Sequence, residues 1–130
     1  MKVRAAIVIE KDGQVALIER VRDGRTYYVF PGGGVEDGET PEHAAVREAR
    51  EELGVEVHLD DLIFATNLGG REHRYYSATI SGGTFGTGQG TEMMTSGKTA
   101  KGTYEPVWLP LDLLTEVDVR PKELSDKLTS

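Results

Sequence analysis

Pro31 followed by Gly32, Gly33 and Gly34 constrains this chain more than any other stretch. Proline fixes its own φ and brings no amide donor, while consecutive glycines lose the most conformational freedom on ordering. No helix crosses this point, and the segment reads as the end of regular structure. Soon after it, Thr40 offers a capping hydroxyl, Pro41 suits the first helical position and Glu42 suits the positive end of a helix dipole. Gly54 supplies a C-terminal stop, so the pattern predicts a helix over Thr40–Leu53.

Strand-like runs lie on both sides. Val3–Ile9, Gln14–Val21 and Thr26–Phe30 are β-prone and are separated by the turn signals Lys11-Asp12-Gly13 and Asp23-Gly24. Val55–Leu59, Leu62–Leu68, Arg74–Ile80 and Thr103–Leu109 read as later strands, Leu111–Leu114 as the start of a short helix and Pro121–Leu128 as a C-terminal helix. Between Ser81 and Thr103 lies a stretch rich in glycine and threonine, a composition shared by functional loops and plain surface loops.

Length and composition then narrow the class. A chain of 130 residues, 38% hydrophobic and 28% charged, is expected to form one domain spanning residues 1–130 with its own core. No run approaches a membrane span and the first ten residues lack a secretory pattern, which makes a cytoplasmic location the default expectation and a membrane partner unexpected. With no cysteine, thiol catalysis and zinc–thiolate sites are excluded. A net charge of −7 argues against bulk nucleic-acid binding, but not against phosphate ligands held through a metal ion.

On an ideal wheel of about 100° per residue, Glu48, Glu51 and Glu52 share one narrow strip, with Ala44 one turn earlier leaving room beside it. Ala45, Val46, Ala49 and Leu53 form the neighbouring apolar stripe. The acidic strip opposes local stability: Glu48 and Glu52 repel at i,i+4, and all three acids lie near the negative end of the dipole. On the helix alone, a solvated charged face explains such a composition better than a metal site does. The preceding glycines favour metal, because they allow close backbone approach, and carboxylates with a carbonyl make a hard-oxygen set for Mg²⁺ or Mn²⁺.

The segment from Gly33 to Val55 resembles the Nudix signature: Gly33, five residues, Glu39, seven residues, Arg47-Glu48, Ala49, one residue, Glu51-Glu52, one residue, Gly54, Val55. Ala49 is smaller than the aliphatic usual there. The resemblance implies an α/β fold, an α/β/α sandwich with a mixed β-sheet and a loop–helix–loop motif. It implies Glu48, Glu51 and Glu52 as metal ligands, with the Gly32 or Gly33 carbonyl completing the shell, and Glu39 with Arg47 tying loop to helix around Gly33. The implied reaction is Mg²⁺- or Mn²⁺-dependent hydrolysis of a diphosphate bond in a nucleoside diphosphate linked to another moiety, including a nucleoside triphosphate. Glu48 and Glu52 are then catalytic as well. For the base that activates water, Glu48 is one candidate and Glu92, from the glycine-rich stretch, the outside candidate, ahead of Glu105. A catalytically silent nucleotide-sensing module is the alternative.

The remaining candidates are weaker signals. Of Tyr27 and Tyr28, alternation leaves one free to stack on a base or sugar while the other faces the core, and core packing is the safer reading of either alone; Tyr28 is named for the substrate, together with Arg74 from the cluster Arg71, His73, Arg74, which hairpin solubility explains equally well. Trp108 is expected in the core, and Arg20, Arg22 and Arg25 in solvent around a hairpin turn. A homodimer is left open as the commonest symmetric assembly.

Overall fold

The computed structural model describes residues 2–87 and 103–129, and every structural statement below concerns these residues. Glu92 and most of the glycine-rich stretch lie outside them.

The strands before the helix are β1 (Lys2–Val8), β2 (Glu10–Lys11), β3 (Gln14–Arg22), β4 (Arg25–Val29) and β5 (Gly32–Gly34). The three glycines do not end regular structure. They form β5, which runs antiparallel to β1 with Gly32 opposite Ala6 and Gly34 opposite Arg4. Glycine has little intrinsic strand preference; this strand exists because a neighbour supplies its partners. Close packing explains the choice of residue, since a Cβ on Gly32 would stand 2.6 Å from Ala6 Cα.

Helix α1 (Pro41–Glu48) begins as the sequence predicts, with Thr40 Oγ1 accepting from His43 N at 3.1 Å. It does not continue as an α-helix to Leu53. Ala49–Leu53 is a single π-helical turn, closed by Gly54 in the left-handed conformation at φ 80°. Strands β6 (Val55–Leu68) and β7 (Arg71–Gly83) follow as an antiparallel pair joined at Gly69-Gly70. The two strands expected over 55–59 and 62–68 are thus one. Asp60 and Asp61 mark only a register shift, which Ser77 and Thr79 satisfy by side-chain hydrogen bonds to them. Strand β8 (Thr103–Pro110), a 3₁₀ turn (Leu111–Leu113), strand β9 (Val119–Arg120) and helix α2 (Lys122–Thr129) complete the chain. β9 has no counterpart in the sequence reading.

One sheet has the order β5-β1-β7-β6, with β1 and β7 parallel; the other has β2-β3-β4-β9, with β8 on the free side of β3. Both are mixed, and the architecture is α/β. Strict alternation divides the apolar side chains between two cores. Ala5, Ile7, Ala16 and Ile18 face α1 with Ala44, Ala45, Ala49 and Leu53; Ala6, Val8, Val15 and Leu17 face Leu114, Val119 and Leu124 of the C-terminal part. Ala44, expected beside the acidic strip, is fully buried in the first core. Trp108 packs at the edge of that core, stacked on Phe85 with ring centroids 4.7 Å apart. No described helix is long and apolar enough to cross a membrane.

Candidate active site

A cleft of about 590 Å³ opens where β5, α1 and the π turn meet the ends of β3, β4, β7, β8 and β9. One wall is acidic, formed by Glu36, Glu48, Glu51 and Glu52 along the glycine strand; the other carries Arg4, Arg20, Arg120, Tyr27, His73 and Tyr104.

Arg47 organises the acidic wall. Its Nε and Nη2 donate to Glu39 Oε2 at 2.7 Å and Oε1 at 3.0 Å, and Nη2 also donates to the Gly34 carbonyl at 3.0 Å. Nη1 donates to Glu48 Oε2 at 2.9 Å and Glu51 Oε1 at 3.2 Å. Glu39 in turn accepts from Glu36 N at 3.0 Å. The expected Glu39–Arg47 tie is therefore present as a bidentate pair, the strong form of charge-assisted bond. Hydrogen bonding from Arg47 holds the Glu39 carboxyl at about 2, far below its usual value.

The three glutamates sit in three different surroundings. Glu51 is 44% exposed and Glu48 13%. Glu52 is only 5% exposed: Oε2 accepts from Gly32 N at 3.0 Å and Oε1 from the Tyr104 hydroxyl at 2.6 Å. It is not on an open strip with Glu48, because the π turn widens the helix at this point and abandons the 100° step on which the wheel rests. Glycine at 33 leaves room for the Glu48 carboxylate, whose carbon would lie 2.6 Å from a Cβ there.

These groups suit a hard divalent cation in kind: carboxylate oxygens beside a backbone stripped of side chains, which is the cradle a Cβ would fill. They are not drawn together as they stand. Among the described residues, no three His, Cys, Asp or Glu side chains converge closely enough to hold an ion. Arg47 Nη1 occupies the space between Glu48 and Glu51 and supplies the positive charge there. The Gly32 carbonyl accepts from Arg4 Nη2 at 3.0 Å.

The basic part of the lining is built on a cross-strand row. Arg20 lies opposite Tyr27 on β4 and Tyr104 on β8, so the three side chains share a face. The Arg20 guanidinium stands 4.8 Å from the centre of the Tyr104 ring, and Arg120 stands 4.1 Å over Tyr27. Arg20 is thus in the cleft, not in solvent with Arg22 and Arg25; its Nε is buried and makes no hydrogen bond among the described residues. Arg4 and His73 are register partners on β1 and β7. Burial, then Arg4 and Arg71, push the His73 imidazole below its usual pKa and favour the neutral ring.

Two substrate candidates fall outside. Tyr28 packs against the second core and donates to Glu19 Oε2 at 3.0 Å, while Tyr27 faces the cleft. Arg74 pairs with Glu72 at 3.0 Å on the strand face opposite His73 and Tyr75, which do line the cleft. Glu105 lies opposite Glu19 on neighbouring strands, one position out of phase with the cleft residues Arg20 and Tyr104.

A family model described as NUDIX domain matches residues 1–128. The chain belongs to that family. Over 68 residues, 52% of its length, this NUDIX domain is 41% identical to an RNA pyrophosphohydrolase of Aeromonas hydrophila, covering 37% of that protein. Over 59 residues, 44% of its length, it is 36% identical to an 8-oxo-dGTP diphosphatase of Proteus vulgaris, covering 53% of that protein. The matched stretches thus span about a third to a half of these curated relatives. Its fold matches a MutT structure from work on Aliivibrio salmonicida and Vibrio cholerae with a TM-score of 0.70 and 18% identity, covering 98% of this chain and 94% of that one.

The cleft residues of the NUDIX domain that sequence reasoning missed are Arg4, Arg20, Tyr104 and Arg120, together with Tyr27 in place of Tyr28. They stand on separate strands, and only strand register brings them together. Alternation alone identified Tyr27 and Tyr28 as facing opposite ways, without deciding which way.

Proposed function

We propose that this NUDIX domain hydrolyses a diphosphate bond in a nucleoside diphosphate linked to another moiety, with Mg²⁺ or Mn²⁺ held by Glu48, Glu51 and Glu52. The observation that carries the reading is a single cleft lined both by the acids Glu36, Glu48, Glu51 and Glu52 and by the arginines Arg4, Arg20 and Arg120. Either wall alone is an ordinary surface. Together they suit a polyanion that brings a cation with it.

Within this reading the arginines take the phosphoryl oxygens. Arg20, with a buried donor to satisfy, and Arg120, held in place by Tyr27 and Asp118, are the principal anchors. Tyr27 offers an aromatic edge for the nucleoside. The divalent ion supplies charge neutralisation at the phosphate oxygens and makes water easier to deprotonate. In this reading Glu48 takes that proton, which is supported by Arg47 holding its Oε2 while Oε1 makes no hydrogen bond among the described residues. To hold the ion, Glu48 and Glu51 would have to exchange their contacts with Arg47 Nη1 for it.

The test is turnover of nucleoside and deoxynucleoside triphosphates, nucleotide sugars, dinucleoside polyphosphates and 5′-triphosphorylated RNA by the purified chain, with Mg²⁺ or Mn²⁺ and with chelator. Metal-dependent release of a phosphorylated product is expected from at least one class. No turnover on any of them overturns the proposal, and tight nucleotide binding without turnover indicates a sensing module instead.

A further inference from the structure

Glu52 is the most buried acid of the cleft, and its two oxygens are held from two directions. The Gly32 amide belongs to the signature loop, only 20 residues away in sequence; the Tyr104 hydroxyl comes from β8, 52 residues away. At 2.6 Å, the Tyr104 bond is as short as an O–H donor to a carboxylate is expected to be. The ring that delivers it is itself fixed. Tyr104 is 8% exposed, packs in the α1-side core and lies beneath the Arg20 guanidinium. A carboxylate at the end of a two-bond stem has rotamers to choose from, and a rigid phenol on a strand removes that choice.

We infer that Tyr104 is a positioning residue: it fixes the Glu52 carboxylate in the orientation needed to hold the divalent ion. The inference rests on the hydrolase reading only for its effect on turnover; its effect on metal affinity stands apart. Partners of ligating carboxylates typically change metal affinity or activity by 10–100-fold when removed, because the ligand must then be ordered at the moment of binding. Tyr104 also joins the walls. The aromatic ring that carries the hydroxyl to Glu52 is the one on which Arg20 rests, so the ion site and the anion site share a support.

The experiment compares Tyr104→Phe, Glu52→Gln and the double variant. Phenylalanine keeps the ring under Arg20 and in the core, and thermal melting with far-UV circular dichroism establishes that each variant is folded. Mn²⁺ affinity is measured by calorimetry in the absence of nucleotide, and kcat and KM on whichever substrate the wild type turns over. Tyr104→Phe is expected to weaken Mn²⁺ binding about tenfold or more and to lower kcat similarly, with KM within about twofold. If Tyr104 acts through Glu52, the phenylalanine change adds less than about twofold in the Glu52→Gln background. The cycle is read on kcat where Glu52→Gln binds Mn²⁺ too weakly to titrate. Wild-type Mn²⁺ affinity in folded Tyr104→Phe, or losses that multiply in the double variant, overturns the assignment. A wild type that binds Mn²⁺ but hydrolyses no nucleotide removes the hydrolase reading, and the Mn²⁺ affinities then decide the role of Tyr104. A wild type that binds no Mn²⁺ overturns both.

Discussion

Arg47 and Glu39 face each other fork to fork, Nε to Oε2 at 2.7 Å and Nη2 to Oε1 at 3.0 Å, across the loop that joins the glycine strand to α1. The pair does more than close a loop. The same guanidinium reaches the Gly34 carbonyl, Glu48 and Glu51, so one side chain holds strand, loop and helix in register.

Replacement of Arg47 by lysine is therefore not conservative. An ammonium is a point charge without the planar fork, and Glu39 and Glu48, 16% and 13% exposed, are left without adequate partners. Losing the fork geometry of such a partly exposed network, with the charge kept, costs about 1–2 kcal/mol. Urea unfolding is expected to show that loss as a lower midpoint with an unchanged slope; an unchanged midpoint would remove Arg47 from the stability of the loop.

Acid acts on the same contact. The Glu39 carboxyl lies at about 2 in the folded chain, against 4.5 as its ordinary value, because Arg47 and then the Glu36 amide bond its charged form. A lowered folded pKa means that the unfolded chain takes up the proton first. The stabilisation is complete above pH 4.5 and is lost as pH falls from there toward 2. The thermal midpoint of the wild type should drop across this window more steeply than that of Glu39→Gln, which has no proton to gain. Parallel curves would show that Glu39 does not contribute.

Adjacent glycines separate stability from chemistry. A Cβ on Gly32 meets rigid backbone, at 2.5 Å from Ala5 O and 2.6 Å from Ala6 Cα, so Gly32→Ala must pry β5 from β1. A Cβ on Gly33 meets the end of the Glu48 side chain, which can turn aside. Gly32→Ala is expected to lose about 2–3 kcal/mol in urea unfolding, within the overpacking range. Gly33→Ala should lose less than about 1 kcal/mol yet lower kcat at least about tenfold, by moving the carboxylate that is proposed to take the proton from water. Equal stability losses in the two variants would contradict this division.

The acidic wall was legible in the sequence and the basic wall was not, for a physical reason. Gly33, Glu39, Arg47, Glu48 and Glu52 follow one another through a single strand, loop, helix and π turn, where residues near in sequence meet. Arg20, Tyr27 and Tyr104 meet because β3 pairs with β4 at one register and with β8 at another. A one-residue slip in either pairing would offer a different set, and no local propensity decides it. The two misread local features also have tertiary causes. The glycine strand depends on β1 for its hydrogen bonds, and the π turn accompanies the burial of Glu52 against Gly32 and Tyr104.

Arg20 offers the sharpest test of the basic wall, because its stability and its proposed function pull in opposite directions. Its Nε is buried without a hydrogen bond among the described residues, a state that costs about 1–3 kcal/mol for a polar donor. Methionine has a similar length, keeps the contact with the Tyr104 ring and has no donor to satisfy. Arg20→Met is therefore expected to leave the thermal midpoint unchanged or to raise it. If the missing partner is an oxygen of the substrate, the same variant loses a charge-assisted bond, about 1.5–3 kcal/mol, and its KM rises at least about tenfold. Thermal melting and steady-state kinetics on the wild-type substrate measure the two effects separately. A lower midpoint with unaltered KM would make Arg20 a structural residue and leave the anion to Arg4 and Arg120.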